Sequence, residues 1–162
     1  MRTMLKTGAA ALLILIAAAG PASAQPRTLQ SAAEILSALK AGGQVRVVLH
    51  FKDMKLVNDK GEPEKSPDVF SAMVLEPYEY FAAGSIGNPV GYLASSHAQL
   101  IRHARYGYIY DYVKVSVYDN NQVKILVQYL SPTTFELKME ETFTTDIATG
   151  QTGGKAAFFR IQ

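Results

Sequence analysis

"YGYIYDYVKVSVYDNNQVKILVQYL", residues 106–130, is the stretch on which the fold turns. It holds six of the nine tyrosines: Tyr106, Tyr108, Tyr110, Tyr112, Tyr118 and Tyr129. Ile109, Val113, Val115 and Val117 share one parity, interrupted only by Asp111. A period of two is that of a pleated strand, whose successive side chains point to opposite faces. "DNNQ" (119–122) then supplies turn residues, and Val123, Ile125, Val127 and Tyr129 resume the alternation. Two alternating runs around an Asp-Asn-Asn turn predict an antiparallel hairpin.

Working outward, the same rhythm recurs on both sides. In "QVRVVLHFKDMKLV" (44–57), Val45, Val47, Leu49 and Phe51 share a parity that Met54 and Leu56 do not. A bulge or bend near Lys52–Asp53 is expected to bring those two back to the same face. "NDKGEPEKSPD" (58–68) reads as a loop, and "SAMVLEPYEYFAA" (71–83) as a strand interrupted at Pro77, hence an edge or a bent pair. "GSIGNPVG" (84–91) is a turn cluster, while "YLASSHAQLIRHA" (92–104) suits either a strand or a short helix capped by Ser95. In "TFELKMEETFTTDI" (134–147), Phe135, Leu137 and Met139 are expected to point inward, with Glu136, Lys138 and Glu140 outward. "GQTGG" (150–154) turns again before a last strand, "KAAFFRI" (155–161).

Upstream the period is 3.6. "SAAEILSALKAGG" (31–43) places Ser31 three residues before Glu34, a capping-box spacing, with Ile35, Leu36 and Leu39 on one stripe and Gly42–Gly43 as the stop. The expected architecture is a β-rich α+β domain: an N-terminal helix on an antiparallel sheet of about seven strands, curled into a barrel or sandwich. Residues 1–24 stand apart from it. Arg2 and Lys6 precede an apolar run, "AAALLILIAAAG" (9–20), and "PASA" (21–24) offers small residues at a cleavage site. That order is a secretory signal peptide, and the run is shorter than the ~20 residues that span a bilayer. Cleavage after Ala24 is expected, leaving one domain of residues 25–162 with no stable membrane insertion, destined for the periplasm or beyond. Losing Arg2 and Lys6 leaves 14 basic residues against 14 acidic ones. Such a neutral domain has no electrostatic footprint for nucleic acid. Cysteine is absent, so no disulfide holds the exported chain together.

The tyrosine run poses the functional question. Tyr106, Tyr108, Tyr110 and Tyr112 line the face opposite Ile109 and the valines, so both faces of one strand are partly apolar. Either the rings cover an outer face with their hydroxyls in water, or they line a groove or barrel mouth and contact a ligand or partner. Asp111, on the apolar parity, is either buried with a partner or marks where the core begins; the second is the reading adopted.

Coherent catalytic sets are missing. His97 and His103 lie about 20 Å apart along a strand, and on different faces of a helix. With His50 remote in sequence, no cysteine and no H-E-x-x-H pattern, no metal or other cofactor is expected. "GQTGGK" (150–155) lacks the spacing and the following Ser or Thr of a phosphate loop, and a strand follows it where a helix is needed. Glu136 and Glu140 flank Lys138 as on a solvated sheet surface.

The order of features resembles the VirK family of small exported bacterial proteins. "AAEILSALKAGGQVRVVLHFKDMKLV" (32–57), "YEYFA" (78–82), "YLASSHAQLI" (92–101) and "VKVSVYDNNQVKILVQYLSPTTFEL" (113–137) carry the resemblance. Members of that family often have a cysteine where Met54 stands and another near the C-terminal strand; this chain has neither, so no disulfide carries over. The resemblance implies export and an association with host-interacting bacteria, and it implies no reaction and no catalytic residues. The expected function is therefore non-enzymatic binding of a small apolar ligand or a protein partner through the tyrosine-rich face. Two alternatives stand beside it: a small-barrel enzyme pairing a Tyr hydroxyl with Asp111 or Glu79 for proton transfer, and a structural envelope component.

Overall fold

The structure, a computed structural model, describes residues 26–149 and 153–161. The leader expected at 1–24 and part of the turn expected at 150–154 lie outside the described residues. Helix α1 (Ala32–Lys40) forms as its sequence dictates. The Ser31 hydroxyl accepts from the Glu34 amide at 3.2 Å, and the Glu34 carboxylate accepts from the Gln30 amide at 2.9 Å. The first bond satisfies one of the donors that a helix start leaves orphaned, and the second ties the residue before the cap to the first turn. Ile35, Ala38 and Leu39 are buried, and Gly42, at φ 76°, supplies the left-handed turn that ends the run.

The strands are β1 (Arg27–Leu29), β2 (Gln44–His50), β3 (Lys55–Asn58), β4 (Pro63–Glu64), β5 (Phe70–Val74) and β6 (Tyr78–Phe81). They are followed by β7 (Tyr92–His103), β8 (Gly107–Tyr118), β9 (Gln122–Leu130), β10 (Leu137–Asp146) and β11 (Ala156–Ile161). They form two antiparallel sheets. One has the order β1-β11-β2-β5, the other β4-β3-β10-β9-β8-β7-β6. Neither closes into a barrel, so the architecture is sandwich-like. The alternative of a short helix over residues 92–104 gives way to the twelve-residue strand β7, which pairs with β8 along its whole length. More strands form than expected because brief pairings, such as Leu56 with Glu64 in β3 and β4, occur inside the loop of residues 58–68.

The chain passes between the sheets after β2, β4, β5 and β10, and two of these crossings have a local cause. Asp53, at φ 64°, turns the chain between β2 in the smaller sheet and β3 in the larger, so Phe51, Met54 and Leu56 are all buried despite their mismatched parity. That is the bend expected at Lys52–Asp53. Leu75–Pro77 makes the other of the two, from β5 to β6, and both of these strands are sheet edges, where proline is tolerated. One core results: Val45, Val47, Leu49 and Phe158 from the smaller sheet, Ile35 and Leu39 from the helix, and Val115, Val117, Ile125 and Phe143 from the larger. The helix start reaches the β8–β9 turn, where the Asn121 side chain accepts from the Ala32 amide at 2.8 Å.

Candidate functional site

β8 decides what each face of the larger sheet carries. Its odd residues point to the core side. Val115 and Val117 are fully buried there, Val113 and Asp111 are half-buried, and Ile109 is buried outside the main core cluster. The main core cluster begins beyond Asp111, but Ile109 before it is buried too, so the expectation that burial starts only after this acid holds in part. Asp111 also has a neighbour: Gln99 on β7 donates to its Oδ2 at 3.4 Å, while its Oδ1 is buried with no partner.

The even residues of β8 point away from the core. Tyr108 is exposed and Tyr110 and Tyr112 are half-exposed. The register sets Tyr110 directly between Leu100 on β7 and Leu130 on β9, and Leu130 opposite Leu137 on β10. Leu100, Tyr110, Leu130 and Leu137 therefore form an unbroken apolar row across four strands. Leu100 is 55% exposed and Leu137 47% exposed. Phe135, 65% exposed, stacks on Tyr110 with its ring 6.1 Å away and the planes within 7°. Tyr108, next to the row and opposite Arg102, is 64% exposed. Gln128 and Glu140, bonded to each other at 2.6 Å, stand beside Tyr112 and form a polar rim.

Three of the four expected residues, Tyr108, Tyr110 and Tyr112, share this outer face. Tyr106 does not. It sits in the turn before β8, and Gly107, at φ 73°, breaks the alternation. Its ring lies 5.0 Å from His103 and 6.1 Å from Tyr129, both of which belong to the opposite parity. The expectation that Phe135 and Leu137 point inward also fails. Phe135 lies in the β9–β10 turn at φ 56°, and a register shift between Leu137 and Met139 leaves Leu137 on the outer face. Composition hid this row, because Leu100, Leu130 and Leu137 come together only through strand register. The "SPTT" run (131–134) was the available signal that Phe135 belongs to a turn.

A proton-transfer pair with Asp111 lacks its geometry on this face, since Tyr108, Tyr110 and Tyr112 point away from that residue. Glu79, the other carboxylate expected for such a pair, shares the outer face and lines a pocket with Tyr112 and Lys114. Asp111 instead faces Tyr129 across the strands on the core side. Burial, followed by the charges of Asp111 and Glu141, raises the Tyr129 pKa. That keeps the phenol protonated, the opposite of what a base requires. Burial and then Glu64 likewise raise Glu141. His97 and His103 are held apart on one extended strand, and no cluster of three or more His, Asp or Glu residues is placed to hold a metal among the described residues. Nor, among those residues, is any helix long and apolar enough to cross a membrane.

Comparison with known proteins follows the same lines. The family model described as VirK protein matches residues 28–135, more than half of the chain and all of β2 to β9. Among solved structures, the chain is similar to a VirK family protein from Legionella pneumophila, with a TM-score of 0.60 and 14% identity. That likeness covers 82% of this chain and 98% of the other, and at such identity it speaks for the fold alone. Among curated proteins, none matches in sequence.

Proposed function

This chain belongs to the VirK family, and from that premise we propose an exported, non-enzymatic protein that binds a protein partner through the tyrosine-bearing outer face of its larger sheet. The apolar row Leu100–Tyr110–Leu130–Leu137, extended by Phe135 and Tyr108, carries this reading. Contiguous exposed apolar surface edged by polar residues is characteristic of recognition sites, and aromatic residues concentrate at their centres. A protein partner suits the row better than a small apolar ligand. Its side chains project from an open sheet face, whereas a small ligand needs a concavity that buries most of its surface. Export rests on the leader-like residues 1–24.

Native mass spectrometry of the protein purified from its own exporting cells tests both parts. The expected species begins at Gln25 and carries an adduct of protein mass, which the double variant Tyr108→Ser/Tyr110→Ser loses while remaining folded. Retention of every adduct by that variant would refute the docking face. An adduct of small-molecule mass alone would shift the reading to the apolar ligand.

A further inference from the structure

At the other end of the same outer face lies a second, chemically different site. Asn88, Pro89 and Val90 of the β6–β7 loop form one side of an open groove of about 500 Å³. Tyr92, Lys114, Ser116, Tyr118, Gln122, Lys124 and Leu126 come from the sheet, and Asn120 from the β8–β9 turn. The register places Ser116 opposite Lys124 and Lys114 opposite Leu126, so the two lysines stand diagonally across neighbouring strands. No carboxylate lines the groove. Among the described residues neither lysine has an ion-pair partner; the pairs that form are Lys52 with Asp68 and Lys138 with Glu136. Glu79 and Glu140 are on the same face but outside the groove; Glu79 lines the neighbouring pocket that Lys114 also borders, and Glu140 is engaged by Gln128.

The aromatic residues form a ladder. Phe81 stacks on Tyr92 at 5.0 Å, and Tyr92 meets Tyr118 at 5.5 Å. The loop wall is fixed, because the Asn88 amide donates to the carbonyls of Ala82 and Val90 at 3.0 and 2.9 Å. Tyrosines flanked by hydroxyl and amide side chains suit a ligand with apolar C–H faces and many hydroxyls. Two lysines without an ion-pair partner, in a groove whose own lining holds no carboxylate, add a preference for negative charge.

We propose that this groove binds an anionic saccharide, a short chain of sugars bearing carboxylates. Tyr92 and Tyr118 offer apolar surface to the sugar rings. Ser116, Asn120 and Gln122 bond their hydroxyls, and Lys114 and Lys124 hold the acid groups. The site is separate from the apolar row and does not depend on it. Calorimetric titration of the folded protein with tetragalacturonate, alongside amide chemical-shift mapping, tests the assignment. Shifts are expected at residues 88–92, 114–118 and 120–126, with affinity falling as salt is added. Lys114→Ala/Lys124→Ala is expected to weaken binding by about tenfold or more at unchanged melting temperature. Maltotetraose and inorganic phosphate are expected to bind far more weakly, since each supplies half of the recognition. The proposal is overturned if tetragalacturonate does not bind or shifts residues elsewhere. Undiminished binding by the double lysine variant overturns it too, as does equal or better binding of phosphate, maltotetraose or uridine monophosphate.

Discussion

Phe135 is a residue whose conformation costs stability, and its replacement separates backbone strain from the ring's contact. Its φ of 56° lies in the left-handed region, where a side chain's Cβ crowds the backbone at about 1–2 kcal/mol. The turn enforces this. The Phe135 amide donates to the Ser131 carbonyl at 2.9 Å, and the Ser131 amide to the Glu136 carbonyl at 2.9 Å. Against the strain stands the stack on Tyr110, about 0.5 kcal/mol for a ring pair this exposed. Phe135→Ala keeps the strain and loses the stack, so it should be less stable than the parent by about 0.5 kcal/mol. Phe135→Gly also loses the stack but removes the strain, offset by roughly 0.5–1 kcal/mol of added freedom in the unfolded chain. Glycine should therefore exceed alanine by about 0.5–1 kcal/mol, the reverse of their usual order. Urea unfolding followed by circular dichroism reads this as a midpoint about 0.5 M higher for glycine. Alanine equal to or above glycine would show that the ring is not held in a strained turn. On the proposed docking reading both variants should also lose the partner, since each removes the ring that extends the apolar row.

The core and the caps give further tests. Phe143→Ala opens a cavity beside Phe51, whose ring lies 4.7 Å away, and should cost about 3–5 kcal/mol in chemical unfolding. Ser31→Ala removes the hydroxyl that caps α1 and should cost about 1 kcal/mol by the same assay. Glu141 has a folded pKa raised above 4.5 by burial and by Glu64. The folded state therefore holds its proton more tightly than the unfolded chain. That contribution to stability is complete below the unfolded pKa and fades as pH rises through the folded one. Glu141→Gln should raise the unfolding midpoint at pH 7 and narrow the gap between pH 4.5 and pH 7; an unchanged gap would contradict the assignment.

Local rules made much of the fold legible, and long-range register decided the rest. The capping pair Ser31–Glu34, the hairpin around Asn121 and the bend at Asp53 follow from neighbouring residues alone, and each formed. The split into two sheets did not show in the sequence, because nothing in "LEPYEY" (75–80) says that β5 and β6 join different sheets. Barrel and sandwich share the same alternation, so closure was equally hidden. At the site, Tyr108, Tyr110 and Tyr112 could be placed on one face by counting. The leucines that complete the row could not, since Leu100 and Leu137 lie 37 positions apart and meet the row only across β8 and β9. Tyr106 left the face for a local reason, the positive φ of Gly107, which a strand read through its own first glycine conceals.

Photo-cross-linking in the exporting cells tests the docking face most directly. A benzophenone side chain replaces Leu100, at the end of the row, and in a second strain Arg46, which is exposed on the smaller sheet. The account expects one discrete protein adduct from position 100, lost with Tyr108→Ser/Tyr110→Ser, and none from position 46. The same adducts from both positions, or none from position 100, would contradict it.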